Sequence, residues 1–182
     1  NIIKSDTLNI KVNSKNFDSL ILKNVPKEWE NKDVILGDEI FVDKWKINKI
    51  IKRGMKTFLM NPFSFIKKNH SVKLHFDVFH GHGNLDRAID LLDDINKEEF
   101  RNFTREKKSF NRENLFICRS KKLIDGYFSS VFPWLEKCEK IFGLELEGYS
   151  MTRIYAFLAE RYLSYWFNKH AKPLTWPIFF YD

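Results

Sequence analysis

Three of the five histidines, His75, His80 and His82, crowd into HFDVFHGHGNLDR, with His70 just upstream and Asp86 just downstream. Imidazole and carboxylate groups brought together are the usual carriers of proton transfer. A carboxylate beside a histidine-bearing loop can take the proton from a hydroxyl and turn it into a nucleophile. Asp86 is the candidate base on that argument. The same residue also suits the first turn of a helix, where the macrodipole favours an acid, and the sequence leaves both roles open. His80 and His82 flank Gly81 in a helix-to-helix turn. It reads either as a solvated polar corner or as a cleft edge, where the amides of Asn84, Leu85 and Asp86 can bind a diphosphate or a sugar hydroxyl.

Metal chemistry finds less support. His75 and His80 are not spaced as the i, i+4 pair of a zinc helix, and no cysteine lies near them. Asp38-Glu39 and Asp93-Asp94 are adjacent acidic pairs, but no Asp-x-Asp element for a divalent ion is present. Neither a metal site nor a cofactor is assigned. Farther along, Arg153, Glu160 and Arg161 border an apolar stripe of Ile154, Phe157, Leu158 and Tyr165. Arg153 and Glu160 are two helical turns apart on one face. They form either an ion-pair network or a place where a guanidinium meets a phosphate or a carboxylated sugar.

The elements that position these groups follow from periodicity. Residues 1 to about 42 read as extended, through TLNIKV, DSLILKNV and DVILGDEIFV, with a helical turn opened by Pro26 in VPKEWE. From Lys44 the pattern becomes helical and stops at Gly54; NPFSFIKKN forms a short helix. The next helix is capped by Ser71 and ended by Gly81 and Gly83. NLDRAIDLLDDI predicts a helix over 84–95 capped by Asn84, and KEEFRNFTREKKSF a second from Lys97, with Asp93 and Asp94 exposed near a helix end. LFIC is a short strand. Two long helices over about 121–141 and 149–169 follow, and the tail wraps back extended. The whole, 1–182, reads as one α+β domain: short strands in the first quarter, mainly helical thereafter.

Bulk properties bound the partners. With 18 Phe, 6 Tyr and 5 Trp, a Phe-rich core is expected. A net charge of +7 admits nucleotide diphosphates, acidic glycans or an anionic membrane surface. The lysines are scattered among acids and no nucleic-acid motif occurs, so nucleic acid is not an expected partner. Cys118 and Cys138 match no metal or redox spacing and read as free thiols in a reducing compartment. Without an apolar run long enough to span a bilayer, or a signal peptide, a cytoplasmic location is expected, with peripheral contact at the inner membrane face. The first residue is Asn rather than Met, and the chain is expected to be a piece of a longer polypeptide.

NLFI, FPWLEKCE and RIYAFLAERYL, with DVILGDEI and HGHGNLD earlier, resemble a bacterial family of capsular and cell-surface polysaccharide glycosyltransferases. That family's pattern is Asn-Met-Phe-Ile, a Trp-bearing helix, then Arg-x-x-Gly-Phe-x-x-Glu-Arg-Leu; Ala156 replaces the family glycine here. The likeness covers about 33–167 and lacks the family's amino-terminal Asn-Ile-Ser and His-Tyr-Arg-Arg-Tyr-Phe elements. It implies the acceptor-side half of a GT-A-like enzyme that transfers a sugar from a nucleotide sugar to a glycan in capsule or lipopolysaccharide assembly. In that setting His80, His82, Asn114, Arg153, Glu160 and Arg161 are candidates for contacting donor or acceptor, or for holding the groups that do. A non-catalytic module that docks a glycan or another part of a synthase is the alternative.

Overall fold

The computed structural model describes residues 12–42 and 47–179. The expected TLNIKV strand, apart from Val12, and the expected start of the helix at Lys44 and Trp45 lie outside those residues. The architecture is α+β: helices dominate, and a few short strands tie the early part of the chain to its last segment.

The DVILGDEIFV run divides at Asp38. Strand β1 (Val34–Gly37) is buried at all four positions, while β2 (Glu39–Phe41) is half-buried throughout. β1 is the centre of a three-stranded sheet. It pairs antiparallel with β4 (Phe116–Cys118), Ile35 opposite Ile117, and parallel with β5 (Leu174–Trp176), Ile35 opposite Leu174. A continuous apolar run suits a strand covered on both faces. Gly37 ends β1 where a Cβ would stand 2.4 Å from the Ile178 side chain, so the tail passes close over this glycine and a larger residue would push the Ile178 side chain aside. β2 pairs antiparallel with β3 (Ser109–Asn111), Ile40 opposite Phe110.

The helical expectations hold, with four corrections. DSLILKNV is not extended: it contains a helical turn, α1 (Phe17–Leu20). The preceding Asn13 and Asn16 side chains accept backbone N–H groups of Lys15 and Asn13, which folds the chain locally in place of a strand. Helix α2 (Ile47–Arg53) is followed by α3 (Met55–Met60) and by a 3-10 turn with Pro62 at its start. Helix α4 (Val72–His80) is capped by Ser71, whose hydroxyl accepts the Leu74 N–H at 3.2 Å.

α5 stops early, spanning Asn84–Ile89, and its cap is Gly83, at φ 79°, instead of Asn84. The Asn84 side chain reaches back to the His80 carbonyl, 2.8 Å away. Asp93 is itself a cap: its carboxylate accepts the Asn96 N–H at 3.0 Å and starts α6 (Asp94–Glu106) three residues before the expected Lys97. The last long helix is interrupted at Arg153, whose φ of −107° and ψ of 15° separate α8 (Tyr149–Thr152) from α9 (Ile154–His170).

The core lies between α5, α6, α7 (Lys121–Phe142) and α9. Trp134 of α7 donates its indole N–H to the Ala88 carbonyl at 2.7 Å, and Ser130 meets the Tyr162 hydroxyl at 2.6 Å. These bonds flank Pro133, which removes one helical hydrogen bond without ending the helix. Phe100, fully buried, sits edge-on to Trp134 and Tyr162 and beside Tyr165. Cys138 is buried and Cys118 half-buried, both as free thiols. Phe100→Ala therefore opens a hole among three other aromatic residues. It is expected to cost about 3–5 kcal/mol in urea unfolding; a loss below about 1 kcal/mol would show that the aromatic cluster does not organise this core.

Candidate functional site

α9 is buried on nearly every side, yet one of its faces carries Glu160, Arg161, Ser164 and Asn168. Polar side chains on a buried helix must find partners, and here β3 and the turn after it supply them. Ser164 Oγ accepts the Asn111 N–H at 2.7 Å, while the Asn111 side chain donates to the Gly37 carbonyl at 2.7 Å. One serine and one asparagine thus join α9, β3 and the end of β1. Beside them Asp38 and Arg112 form a two-point ion pair at 2.8 and 3.0 Å.

Arg161 is 1% exposed. One terminal nitrogen is shared between the Glu160 carboxylate and the Phe157 carbonyl; the other points at His75 Nδ1, 3.1 Å, and His80 Nε2, 3.5 Å. The Phe110 ring lies 4.1 Å from the guanidinium carbon. Burial pulls Arg161 down to about 10, with Glu160 opposing, so it stays charged at neutral pH. Burial and the Arg161 charge push His80 down to about 3, only partly offset by the Ser150 backbone; burial, Arg161 and His80 drive His75 well below its ordinary value. Both imidazoles are therefore neutral and offer lone pairs to the guanidinium. Burial pushes Glu160 up, against the opposing Arg161 charge and the Glu113 N–H that it accepts at 2.6 Å.

That last bond fixes a strained turn. Glu113 and Asn114 both adopt left-handed φ, 70° and 51°, a costly pair for residues with side chains. Asn114 is held from its side chain as well, donating to the Ala156 carbonyl at 2.9 Å. Arg153 caps the row, stacked over Tyr149 at 5.0 Å and Phe157 at 5.3 Å.

So the structure gathers His80, Asn114, Arg153, Glu160 and Arg161 along one face of α9. His80 is buried rather than part of a solvated corner, and Arg161 belongs to an ion-pair network with its terminal nitrogens already engaged. His82 and Asp86 go elsewhere. Asp86 lies 2.8 Å from Lys73, 3.6 Å from Arg101 and 3.7 Å from Arg105. Lys73 also holds Asp77, which accepts the Gly83 N–H and lies 3.7 Å from His82. Burial pulls Lys73 down, but Asp77 and Asp86 outweigh it and hold it above its ordinary value. One amide offered for a diphosphate, that of Asn84, is spent on the Gly81 carbonyl.

Beside the Arg161 network, against the later part of α9, opens a cleft of about 490 Å³ lined by Glu39, Asn102, Phe103, Asn111, Tyr165 and Asn168 among others; none of His80, His82, Asp86, Asn114, Arg153, Glu160 and Arg161 lines it. Glu99 on its wall is held low chiefly by its bond to Lys169, then by Tyr165. Sequence reasoning missed these residues. The available signal was the i, i+4 polar row Glu160, Ser164, Asn168 within an aromatic-rich helix. No group of three or more His, Cys, Asp or Glu side chains placed to hold a metal occurs among the described residues.

Two outcomes test this geometry. A histidine with a depressed folded pKa leaves stability complete above its unfolded value of about 6.5 and drains it as pH falls, at up to about 1.4 kcal/mol per pH unit. His80→Gln should remove that part of the slope between pH 6 and about 4 in urea melts; an unchanged slope would place the titration elsewhere. Asp86→Asn strips one charge from a three-cation cluster intermediate between surface and core. It should cost about 1–2 kcal/mol, read as a lower melting temperature.

Neither a curated protein nor a solved structure matches the chain. The model of a family described as Domain of unknown function (DUF4422) matches residues 30–171, every element from β1 to α9, and the chain belongs to that family.

Proposed function

We propose that the chain is the acceptor-side part of a glycosyltransferase that moves a sugar from a nucleotide sugar onto a glycan in bacterial capsule or lipopolysaccharide assembly. The cleft over α9 is the observation that carries this reading. Its volume is that of a small-ligand site. Its walls alternate amides and hydroxyls (Asn102, Asn111, Asn168, Ser164) with the rings of Phe103 and Tyr165 and several carboxylates. Amides and carboxylates bind paired hydroxyls, and an aromatic ring covers the apolar face of a pyranose. The resemblance of NLFI and RIYAFLAERYL to polysaccharide glycosyltransferases points the same way; the second segment lies in α9, whose next residues, Ser164 and Tyr165, line the cleft.

Asp86, nominated as base by the sequence, is engaged by three cations through Lys73, Arg101 and Arg105. On α6 those arginines occupy a different face from Glu99, Phe103 and Glu106, which line the cleft. The base is better drawn from the cleft's own carboxylates. Glu39 is the choice: half-buried, opposite Asn111 in the β2–β3 ladder, and next to the Asp38–Arg112 pair. In an inverting transfer it would take the acceptor proton as the sugar leaves its nucleotide.

The assay is transfer from a panel of nucleotide sugars to oligosaccharide and lipid-linked acceptors by the intact polypeptide, with a thermal melt beside it. Glu39→Gln is expected to cut transfer about 100-fold or more, the scale of a lost general base, with little change in melting; Asp86→Asn is expected to retain most transfer below its melting point. The reverse pattern would return the base to Asp86. Turnover of no nucleotide sugar, together with glycan binding at the cleft, would favour the non-catalytic module.

A further inference from the structure

From Lys44 to Phe76 the sequence contains eight lysines and Arg53 and not one Asp or Glu. The whole chain nets +7, so everything outside this stretch nets −2. The positive charge of the protein is thus a local feature. Within the stretch, α3 and the turn after it expose Met55 (51%), Leu59 (74%), Met60 (63%), Phe63 (74%) and Ile66 (47%). Exposed Lys52, Arg53, Lys56 and Lys68 lie among and beside them, whereas Lys73 is spent on Asp77 and Asp86.

These apolar groups are not outward for want of a core. The same segment buries Phe65 with Leu74 and Val78, and Phe58 meets Phe65 edge-on at 5.2 Å. Thr57 ties the underside down by donating to the Asp77 carbonyl at 3.3 Å. Gly54 lets the backbone come so close to α4 that a Cβ there would stand 2.7 Å from Val78. The outward face is therefore presented by a packed support. Large exposed apolar tips interspersed along the chain with exposed lysines are the pattern of a surface that sinks shallowly into a bilayer while its cations meet anionic headgroups.

We propose that residues 52–68 form a docking surface for an anionic lipid bilayer. Leu59, Met60 and Phe63 enter the headgroup–acyl boundary, and Lys52, Arg53, Lys56 and Lys68 pair with lipid phosphates. Charge complementarity selects this occupant. A second copy of the chain would bring the same carboxylate-free stretch against itself and be repelled. Nucleic acid would match the lysines but leave the apolar tips in water. The inference is independent of the sugar-transfer reading, because its measurement involves no sugar.

The test is co-sedimentation of the chain with vesicles of phosphatidylglycerol and phosphatidylethanolamine, against vesicles of phosphatidylcholine alone, across a salt series. Binding to the anionic vesicles is expected, weakening as salt rises. Leu59→Ser with Phe63→Ser should weaken it about 10-fold or more, and Lys52→Gln with Lys56→Gln and Lys68→Gln by a similar factor. Both variants should keep the wild-type melting curve, because every altered side chain is exposed; if the double serine variant melts early, the lysine variant decides. Equal binding to neutral vesicles, no binding to either, or unchanged binding by folded variants would overturn the proposal. So would a wild-type dimer that the serine substitutions dissolve.

Discussion

A charged guanidinium in the interior is costly unless its surroundings replace the water it gave up, and Arg161 is 1% exposed. Its replacement shell comes from three elements at once: Glu160 and Phe157 on its own helix, His75 and His80 on α4, and the Phe110 ring on β3. Glu160 passes the constraint on by clamping the Glu113 amide, which holds the turn into β4. A slip of any one element would leave a buried charge or a buried imidazole without its partner. Hydrophobic packing specifies that α7 and α9 touch, whereas this network specifies register. Leucine or methionine in place of Arg161 would fill the space and lose that information.

The network and the cleft are two sides of the same construction. Phe110 touches Arg161 from one side and lines the cleft on the other; Ser164 and Asn111 form the cleft floor while bonding to each other. Side chains that must hold a ligand in a fixed orientation gain from being mounted on regular elements whose own positions are over-determined. The floor here is a helix and a strand pinned from below, and the exposed polar groups, Asn102, Asn168 and Lys169, lie at the rim.

Local chemistry made the helices legible. Ser71 as a cap, glycines after α4 and apolar positions recurring every three or four residues in α7 and α9 are decided within a turn or two of chain. Two of the errors have a common origin in short polar side chains that choose between capping and continuing. Asp93 is exposed as expected, but the sequence pattern places it at the end of one helix, whereas the cap it makes, to Asn96, begins another. Asn13 and Asn16 turned an apparently extended run into a helical turn. For the site, His80, Asn114, Arg153, Glu160 and Arg161 could be chosen by type. Their convergence could not be read, since it depends on partners such as Asn111 and Ser164, each unremarkable where it stands. Asp86 shows the opposite failure: a carboxylate beside histidines looks reactive in one dimension, but Arg101 and Arg105, a helix away in sequence, surround it in three.

The position of β1 has a consequence for how the protein is made. Its four buried residues find one neighbour in β4 and the other in β5, with Ile35 opposite Leu174. Contacts between positions so far apart in the chain carry a large loop-closure cost and slow folding. During translation Val34, Ile35 and Leu36 emerge well before β4, and the edge that takes β5 stays open until α7, α8 and α9 have been synthesised as well. A ribosome-bound intermediate with an apolar strand uncovered on at least one edge is a natural client for a chaperone and a natural seed for aggregation.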